Sequence, residues 1–143
     1  MSENILVAYD GSELSKKAME EAKKQAKFSN ANVHAVTVVT HAGPTTNAIL
    51  ARSFMSDMAE DLRPIMERIQ QDFVKERINC IAEVLVDYSF RNPSVQLLEY
   101  ANENKIDLII LGSRGLGNVG RFFLGSVSNQ IVQRAECRVL IVK

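Results

Sequence analysis

Residues 106–126 have the sequence IDLIILGSRGLGNVGRFFLGS, and this stretch is the strongest indication of the fold. The first six residues are almost continuously apolar, as in strands that are covered on both faces of a sheet. Five of the chain's seven glycines follow in the next fourteen residues, and Ser126 then opens a stretch with helical spacing. A buried strand, a glycine-rich loop and a helix in this order predict one unit of an α/β fold.

The rest of the chain repeats this alternation. Short β-prone runs are predicted at Asn4–Tyr9, Val33–Val39, Cys80–Val86, Ile106–Leu111 and Arg138–Val142. Helical patterns begin at Ser12, cover Phe54–Phe73, follow Asn92-Pro93 and run over Ser126–Arg134. Parallel strands need long connections, and helices then cover both faces of the sheet. The 143 residues are therefore predicted to form an α/β protein, a single three-layer, doubly wound domain with a parallel five-stranded sheet.

The long second helix carries an apolar stripe with spacings of three and four residues. Its members are Phe54, Met58, Leu62, Ile65, Met66, Ile69 and Phe73. Such a stripe is typical of core packing rather than of a cofactor site. Pro64 lies inside it and predicts that the helix kinks or begins close by. His41–Asn47 is rich in turn residues and is predicted to be an exposed, mobile loop, although the sequence leaves the role of residues 41–53 open. In the last helix, Val127, Ile131 and Val132 are predicted to point inward.

Charge and composition narrow the classes of partner. The chain has 17 basic and 17 acidic residues, so no positive excess favours nucleic acid or an anionic membrane surface. Charged side chains occur too early in the first ten residues for the apolar core of a secretory signal. No apolar run is long enough to span a bilayer, so we expect a cytoplasmic protein. Cys80 and Cys137 lack metal-ligand spacing and are predicted to be reduced.

The glycine-rich loop has the composition of a phosphate-binding segment. Close approach of backbone N–H groups to a phosphate requires positive φ angles and no Cβ in the way, which favours glycine. The following helix start adds unpaired N–H groups and the positive end of the helix dipole. Ser126 is predicted to bind a phosphate oxygen, to cap the helix, or both. Arg114 and Arg121 either offset phosphate charge or are simply solvated.

Asp10 ends the first strand and faces the same predicted edge of the sheet. Its carboxylate could accept a hydrogen bond from a ribose hydroxyl or an adenine amine. It could equally form the turn before Gly11, and the two roles are compatible.

A GxGxxG pattern at Gly115, Gly117 and Gly120 does not indicate NAD binding. That pattern belongs to the first strand of a complete βαβ unit followed by an acidic residue. Only 23 residues remain after Gly120.

The sequence resembles the universal stress protein family over essentially its whole length. The spacing of Gly112, Gly115 and Gly125-Ser126, with two and then nine residues between, is similar to that family's ATP-binding motif. The opening ILVAYDGSELSKKAMEEA, residues 5–22, and the closing CRVLIVK, residues 137–143, look like its first strand and helix and its last strand.

The resemblance implies an adenine nucleotide-binding protein that holds ATP, AMP or ADP, with magnesium when a triphosphate is bound. It implies that Ala8 and Asp10 border the nucleoside and that Val38 touches the adenine. The residues implied to line the ribose and phosphates are Gly112, Arg114, Gly115, Gly125, Ser126 and Val127. The resemblance also implies a homodimer through the final strand, Arg138–Val142. Ala8 and Arg138 depart from the family, because proline is common at both positions, and Arg91 stands where glycine is usual.

Four kinds of function are compatible with these features. The leading hypothesis is a nucleotide-responsive regulatory protein of the stress response that signals through a homodimer. The alternative is an enzyme that slowly hydrolyses ATP or transfers its phosphate, although the loop offers no carboxylate or histidine to orient a nucleophile. A phosphoacceptor domain would use Asp10, Asp87, Ser113 and Lys143, but that scheme does not require five glycines after the fourth strand. A scaffold that binds no nucleotide is also compatible with the fold.

Overall fold

The computed structural model describes residues 2–40, 47–89, 91–114 and 125–143, apart from the side chain of Ala48. Within these ranges, no helix combines the length and the apolar character that crossing a membrane requires. The predicted loop at residues 41–46 lies outside the described residues, as do Gly115 and Arg121.

Five strands and four helices alternate along the chain. The strands are β1 (Asn4–Ala8), β2 (Asn32–Thr40), β3 (Cys80–Asp87), β4 (Leu108–Gly112) and β5 (Arg138–Val142). The helices are α1 (Glu13–Ser29), α2 (Ala48–Lys75), α3 (Pro93–Glu103) and α4 (Ser126–Arg134). Every pair of neighbouring strands is parallel, and the order across the sheet is β3-β2-β1-β4-β5. The predicted α/β fold with a parallel five-stranded sheet is therefore confirmed.

Alternate residues of each strand face opposite layers of helices. Ile5 and Val7 of β1 pack with Phe73 of α2 and with three alanines of α1, which are Ala18, Ala22 and Ala26. Leu6, between them, packs on the other face with residues of α3 and α4. Since both faces of β1 and β4 are covered, these two strands are almost entirely apolar, which is why their sequence signal was strong.

The helix α2 differs from its prediction in where it begins. It is continuous from Ala48 through Pro64, so of the two predicted alternatives, a kink or a start close to the proline, the second is wrong. Asn47 provides the true start, because its side chain accepts hydrogen bonds from the N–H groups of Ile49 and Leu50 at 3.0 and 3.1 Å. Residues 48–53, which were assigned to a loop of undetermined role, are therefore helical.

The buried stripe of α2 was predicted correctly only in its second half. Met66 and Phe73 are buried, but Phe54 is 58% exposed and Met58 is 37% exposed. Met55 and Ala59 pack instead against Val39 of β2. The prediction therefore placed the wrong side of the first turns against the core. It followed the long apolar side chains, because an alanine contributes little to a hydrophobic pattern. In α4, Ile131 is buried as predicted whereas Val132 is exposed.

A buried lysine joins the two helices on one face of the sheet. Lys23 of α1 donates to Asp72 of α2 at 2.8 Å and lies 3.0 Å from Glu76. Burial alone would lower the pKa of this amine, but the hydrogen bonds with the two carboxylates raise it above its ordinary value. Lys23 therefore stays charged at the α1–α2 contact.

The two edges of the sheet differ in how their backbone groups are satisfied. On β3, the Ala82 N–H donates to the side chain of Gln70 at 3.0 Å, and the Val86 carbonyl accepts from the side chain of Gln96 at 3.2 Å. On β5, no side chain of the described ranges bonds the outer backbone groups. An edge strand with free backbone groups is a template for pairing with another strand.

A buried histidine links β2 to α3. His34 Nδ1 lies 2.7 Å from the Tyr100 hydroxyl, and the two rings meet edge to face. Burial lowers the pKa of His34 from its ordinary value of 6.5, against the opposing charge of Glu83. Burial also raises the pKa of Tyr100 to about 12, so the phenol remains protonated. The neutral imidazole is thus the form that the folded protein favours.

This preference makes stability depend on pH. Below pH 6.5 the unfolded chain takes up a proton at His34 before the folded chain does, so the free energy of unfolding falls as the pH falls through this window. One such proton contributes a slope of at most about 1.4 kcal/mol per pH unit. In urea denaturation, His34→Gln should lose less stability than the wild type between pH 7.5 and 5.5. Equal losses in both proteins would show that other groups set the pH dependence.

Candidate functional site

The candidate site lies where the direction of winding changes across the sheet. From β1 the chain winds outward through β2 to β3, and then crosses to β4 on the other side of β1. The loops that leave β1 and β4 therefore diverge and open a crevice at the carboxyl edge of the sheet. Gly112 ends β4 beside this crevice, and Asp10 follows β1.

A cavity of about 280 Å³ occupies this crevice. Its wall combines strand ends, the start of α1, the first turns of α3 and the start of α4. The lining residues are Ala8, Tyr9, Asp10, Ser12, Ser15, Val36, Val38, Pro93, Leu97, Leu111, Gly112, Arg114, Gly125, Ser126, Val127 and Ser128. One side is apolar and the other is rich in backbone and hydroxyl groups, which suits a ligand with one apolar and one polar end.

The loop after β1 is held in a tight turn by its aspartate. Asp10 Oδ1 accepts a hydrogen bond from the Ser12 N–H at 2.9 Å, and Gly11 between them has a φ of +85°. The Ser12 hydroxyl then accepts from the Ser15 N–H at 3.1 Å and caps α1. The predicted turn role of Asp10 is therefore present. Within the described residues no partner bonds its second carboxylate oxygen, and the residue lies on the cavity wall.

The start of α4 differs from the starts of the other three helices. A side chain caps α1, α2 and α3, whereas the N-cap of α4 is Gly125, which has no side chain to do so. Among the described residues none accepts a hydrogen bond from the N–H groups of Ser126, Val127 and Ser128. These three residues line the cavity. Ser126 is the first helical residue, so its prediction as the helix cap was wrong.

Crowding explains the two described glycines of the loop. A Cβ on Gly112 would lie 2.8 Å from Cβ of Leu14, and one on Gly125 would lie 3.2 Å from Cα of Arg114. The φ of Gly125 is −65°, and among the described glycines only Gly11 has a positive φ. The expectation of positive φ is therefore not met at Gly112 and Gly125, where the lack of space for a side chain is the reason for glycine.

The two ends of the glycine-rich segment are joined by hydrogen bonds. The Ser113 carbonyl accepts from the Gly125 N–H at 2.7 Å and from the Ser128 hydroxyl at 2.7 Å. The Ser113 N–H donates to the Val142 carbonyl of β5 at 2.8 Å. We call the Ser113–Gly125–Ser128 group the neck of the segment, because it holds the end of β4 and the start of α4 together.

The structure brings eight of the nine predicted site residues to one cavity. They are Ala8, Asp10, Val38, Gly112, Arg114, Gly125, Ser126 and Val127. The ninth, Gly115, lies outside the described residues. Sequence reasoning missed the hydroxyls of Ser12 and Ser15 at the start of α1, and the α3 residues Pro93 and Leu97. The polar turn before α1 was the only sequence signal for the former, and the latter reach the cavity only through tertiary packing.

Asp87, which the phosphoacceptor hypothesis would use, is hydrogen-bonded to residues of the loop that follows β3. Its side chain is buried, Oδ1 accepts from the Ser89 N–H at 2.7 Å and Oδ2 from Arg91 Nε at 3.2 Å. Arg91 also bonds Glu99 of α3. The carboxylate thus shapes the turn that leads to Pro93.

Comparison with known proteins gives one family. Residues 1–143 match the universal stress protein family. A universal stress protein of Thermus aquaticus is 34% identical over 146 residues, with full coverage of both chains. The structure of universal stress protein UspA from Lactobacillus plantarum superposes with a TM-score of 0.86 at 28% identity, covering 99% of this chain and 97% of that one.

A further similar solved structure contains a bound nucleotide. It is a universal stress protein in complex with cAMP, with a TM-score of 0.71 and 25% identity, and the alignment covers 99% of this chain and 96% of that one. An adenine nucleotide is therefore bound by a protein that shares this fold.

Proposed function

This chain belongs to the universal stress protein family, and we propose that it holds an adenine nucleotide, ATP in the first place, in the cavity at the carboxyl edge of its sheet. The proposal extends to a regulatory role in the stress response, in which the bound nucleotide acts as the signal. The nine predicted site residues are proposed as its contacts, with the phosphates at α4 and the base against Val38.

The uncapped start of α4 carries this proposal. Three N–H groups at the positive end of the helix dipole lie on the cavity wall without an acceptor among the described residues. The other three helices satisfy such groups with Ser12, Asn47 and Asn92. A phosphate oxygen would supply the missing acceptor, and an anion at this end of a helix is stabilised by the dipole.

The opposite side of the cavity suits a base. Val36, Val38 and Leu97 offer apolar surface, and Asp10 offers a carboxylate oxygen to a ribose hydroxyl. Magnesium would accompany a triphosphate. No group of three histidine, cysteine or acidic side chains that could hold a metal ion occurs within the described ranges. Phosphate oxygens and water would therefore supply most of the ligands of that ion.

We propose a homodimer formed through β5. This edge strand leaves Val139 and Ile141 only partly buried, and its outer backbone groups have no side-chain partner within the described ranges. Pairing with a second copy would cover both. The Ser113–Val142 hydrogen bond joins the end of this strand to the neck, which would bring the proposed dimer strand close to the proposed nucleotide site.

Thermal unfolding with added nucleotide tests the function. At a hundredfold excess over its Kd, ATP should raise the free energy of unfolding by about 2.7 kcal/mol. Adenosine should bind more weakly because it lacks the phosphates, and inorganic triphosphate should bind more weakly because it lacks the base. Absence of any shift with ATP, ADP, AMP and cAMP would contradict the proposal. Native mass spectrometry of the same sample would report the subunit count.

A further inference from the structure

The neck contains a serine whose role is not explained by helix formation. Ser128 is 2% exposed, and its hydroxyl lies 2.7 Å from the Ser113 carbonyl and 3.1 Å from the Gly125 carbonyl. A serine inside a helix commonly donates to a carbonyl three or four residues back, and Gly125 is such a residue. The shorter contact, however, reaches Ser113, fifteen residues away and directly after β4.

A hydroxyl has one proton to donate, so the two carbonyls compete for it. The distances favour Ser113 as the acceptor, because 2.7 Å is the ordinary length of an O–H···O bond. Since the Gly125 N–H donates to the same carbonyl, Ser113 is held from two sides. One of these bonds comes from the backbone N–H of Gly125, whereas the other depends on the side chain at position 128 and is lost when that side chain is truncated.

Resting on the proposed function, we propose that Ser128 is a positioning residue for the phosphates of the bound nucleotide. Its hydroxyl keeps the neck closed before the ligand arrives, so that the start of α4 and the end of β4 already stand at their binding distance. A ligand then pays less conformational entropy to order them. The base and the ribose, which lie against Val38 and Asp10, do not depend on the neck.

Binding of adenosine and of ATP to Ser128→Ala tests this role by calorimetry. We expect the affinity for ATP to fall about tenfold, equivalent to about 1.4 kcal/mol, while the affinity for adenosine stays within twofold of the wild type. Ser128→Thr keeps the hydroxyl and should restore part of the ATP affinity. Ser29→Ala is the matched control, because it removes a helical serine's bond to the Gln25 carbonyl at the far end of α1.

Each outcome of this experiment is decisive. An equal loss for adenosine and ATP would show a general structural role and overturn the proposal, as would unchanged ATP affinity. Wild-type protein that binds neither ligand would refute the proposed function itself, which is a separate result. If Ser128→Ala does not fold, hydrogen exchange of the wild type decides, because a closed neck requires a protected Gly125 amide without ligand. Rapid exchange of that amide would overturn the proposal.

Discussion

Gly125→Val should abolish the stabilisation by ATP, which we expect to be about 2.7 kcal/mol for the wild type at a hundredfold excess over Kd. A Cβ at this position would already lie 3.2 Å from Cα of Arg114, a backbone atom that cannot move aside as a flexible side chain can. The two methyl groups of valine would force the Gly125 N–H away from the Ser113 carbonyl and would enter the cavity. The phosphate end of the site is therefore lost. Thermal shift and calorimetry with ATP measure the effect.

The control for this variant introduces the same side chain elsewhere in α4. Gln133→Val replaces an exposed residue of that helix that does not line the cavity. It introduces the same β-branched side chain away from the neck and should bind ATP as the wild type does. Far-ultraviolet circular dichroism should show both variants folded. Normal ATP binding by folded Gly125→Val would contradict the proposed site.

Phe73→Ala should lower the free energy of unfolding by about 3–5 kcal/mol, the cost typical of truncating a buried aromatic side chain. Phe73 is 1% exposed and packs with residues of α1, β1 and β2. Its ring also faces the Lys23 ammonium, which lies 5.5 Å from the ring centre. Removal of the ring leaves a cavity and takes away the aromatic partner of a buried cation. Chemical denaturation at constant pH gives the difference.

Phe28 provides the comparison for this measurement. It lies in α1 and is 93% exposed, so Phe28→Ala removes the same group without creating a cavity. Its effect should stay within about 0.5 kcal/mol of zero. Losses of similar size in both variants would contradict the close packing of Phe73 in the core.

The strands and their helices could be predicted from sequence because local signals agreed with the tertiary structure. The apolar run 106–111 is buried on both faces in β4, and Asn92 caps α3 with Pro93 at its first position, as the residue types indicate. The order of the strands was not predicted. It depends on which side of β1 the chain returns to after α3, and no local pattern encodes that choice.

Errors arose where the surroundings of a residue, either solvent or packing, overrode a local rule. Pro64 lies on the exposed side of α2, where a missing N–H costs little because water satisfies the freed carbonyl. Phe54 was assigned to the core by its size, but α2 presents Met55 to the sheet. Pattern reasoning fixes a helical period more securely than its phase, and the phase decides which side chains are buried.

The site was predictable to the extent that its residues are contiguous. The glycine-rich segment and Asp10 gave chemical signals, and the resemblance supplied Ala8 and Val38, for which the residues themselves give none. The neck was invisible in the sequence, because nothing marks Ser128 as a partner of Ser113. Their bond exists only once α4 has docked beside β4.

The unequal edges of the sheet also set how far copies of the chain can add to one another. A sheet with two open edges can grow without limit, because each added copy presents a fresh edge to the next. Here the amides of Gln70 and Gln96 occupy one margin, which leaves β5 as the open margin in the described part of the sheet. Under the proposed homodimer, pairing of β5 with β5 uses up that margin in both copies, so growth ends at two subunits and a fibre cannot form by this route.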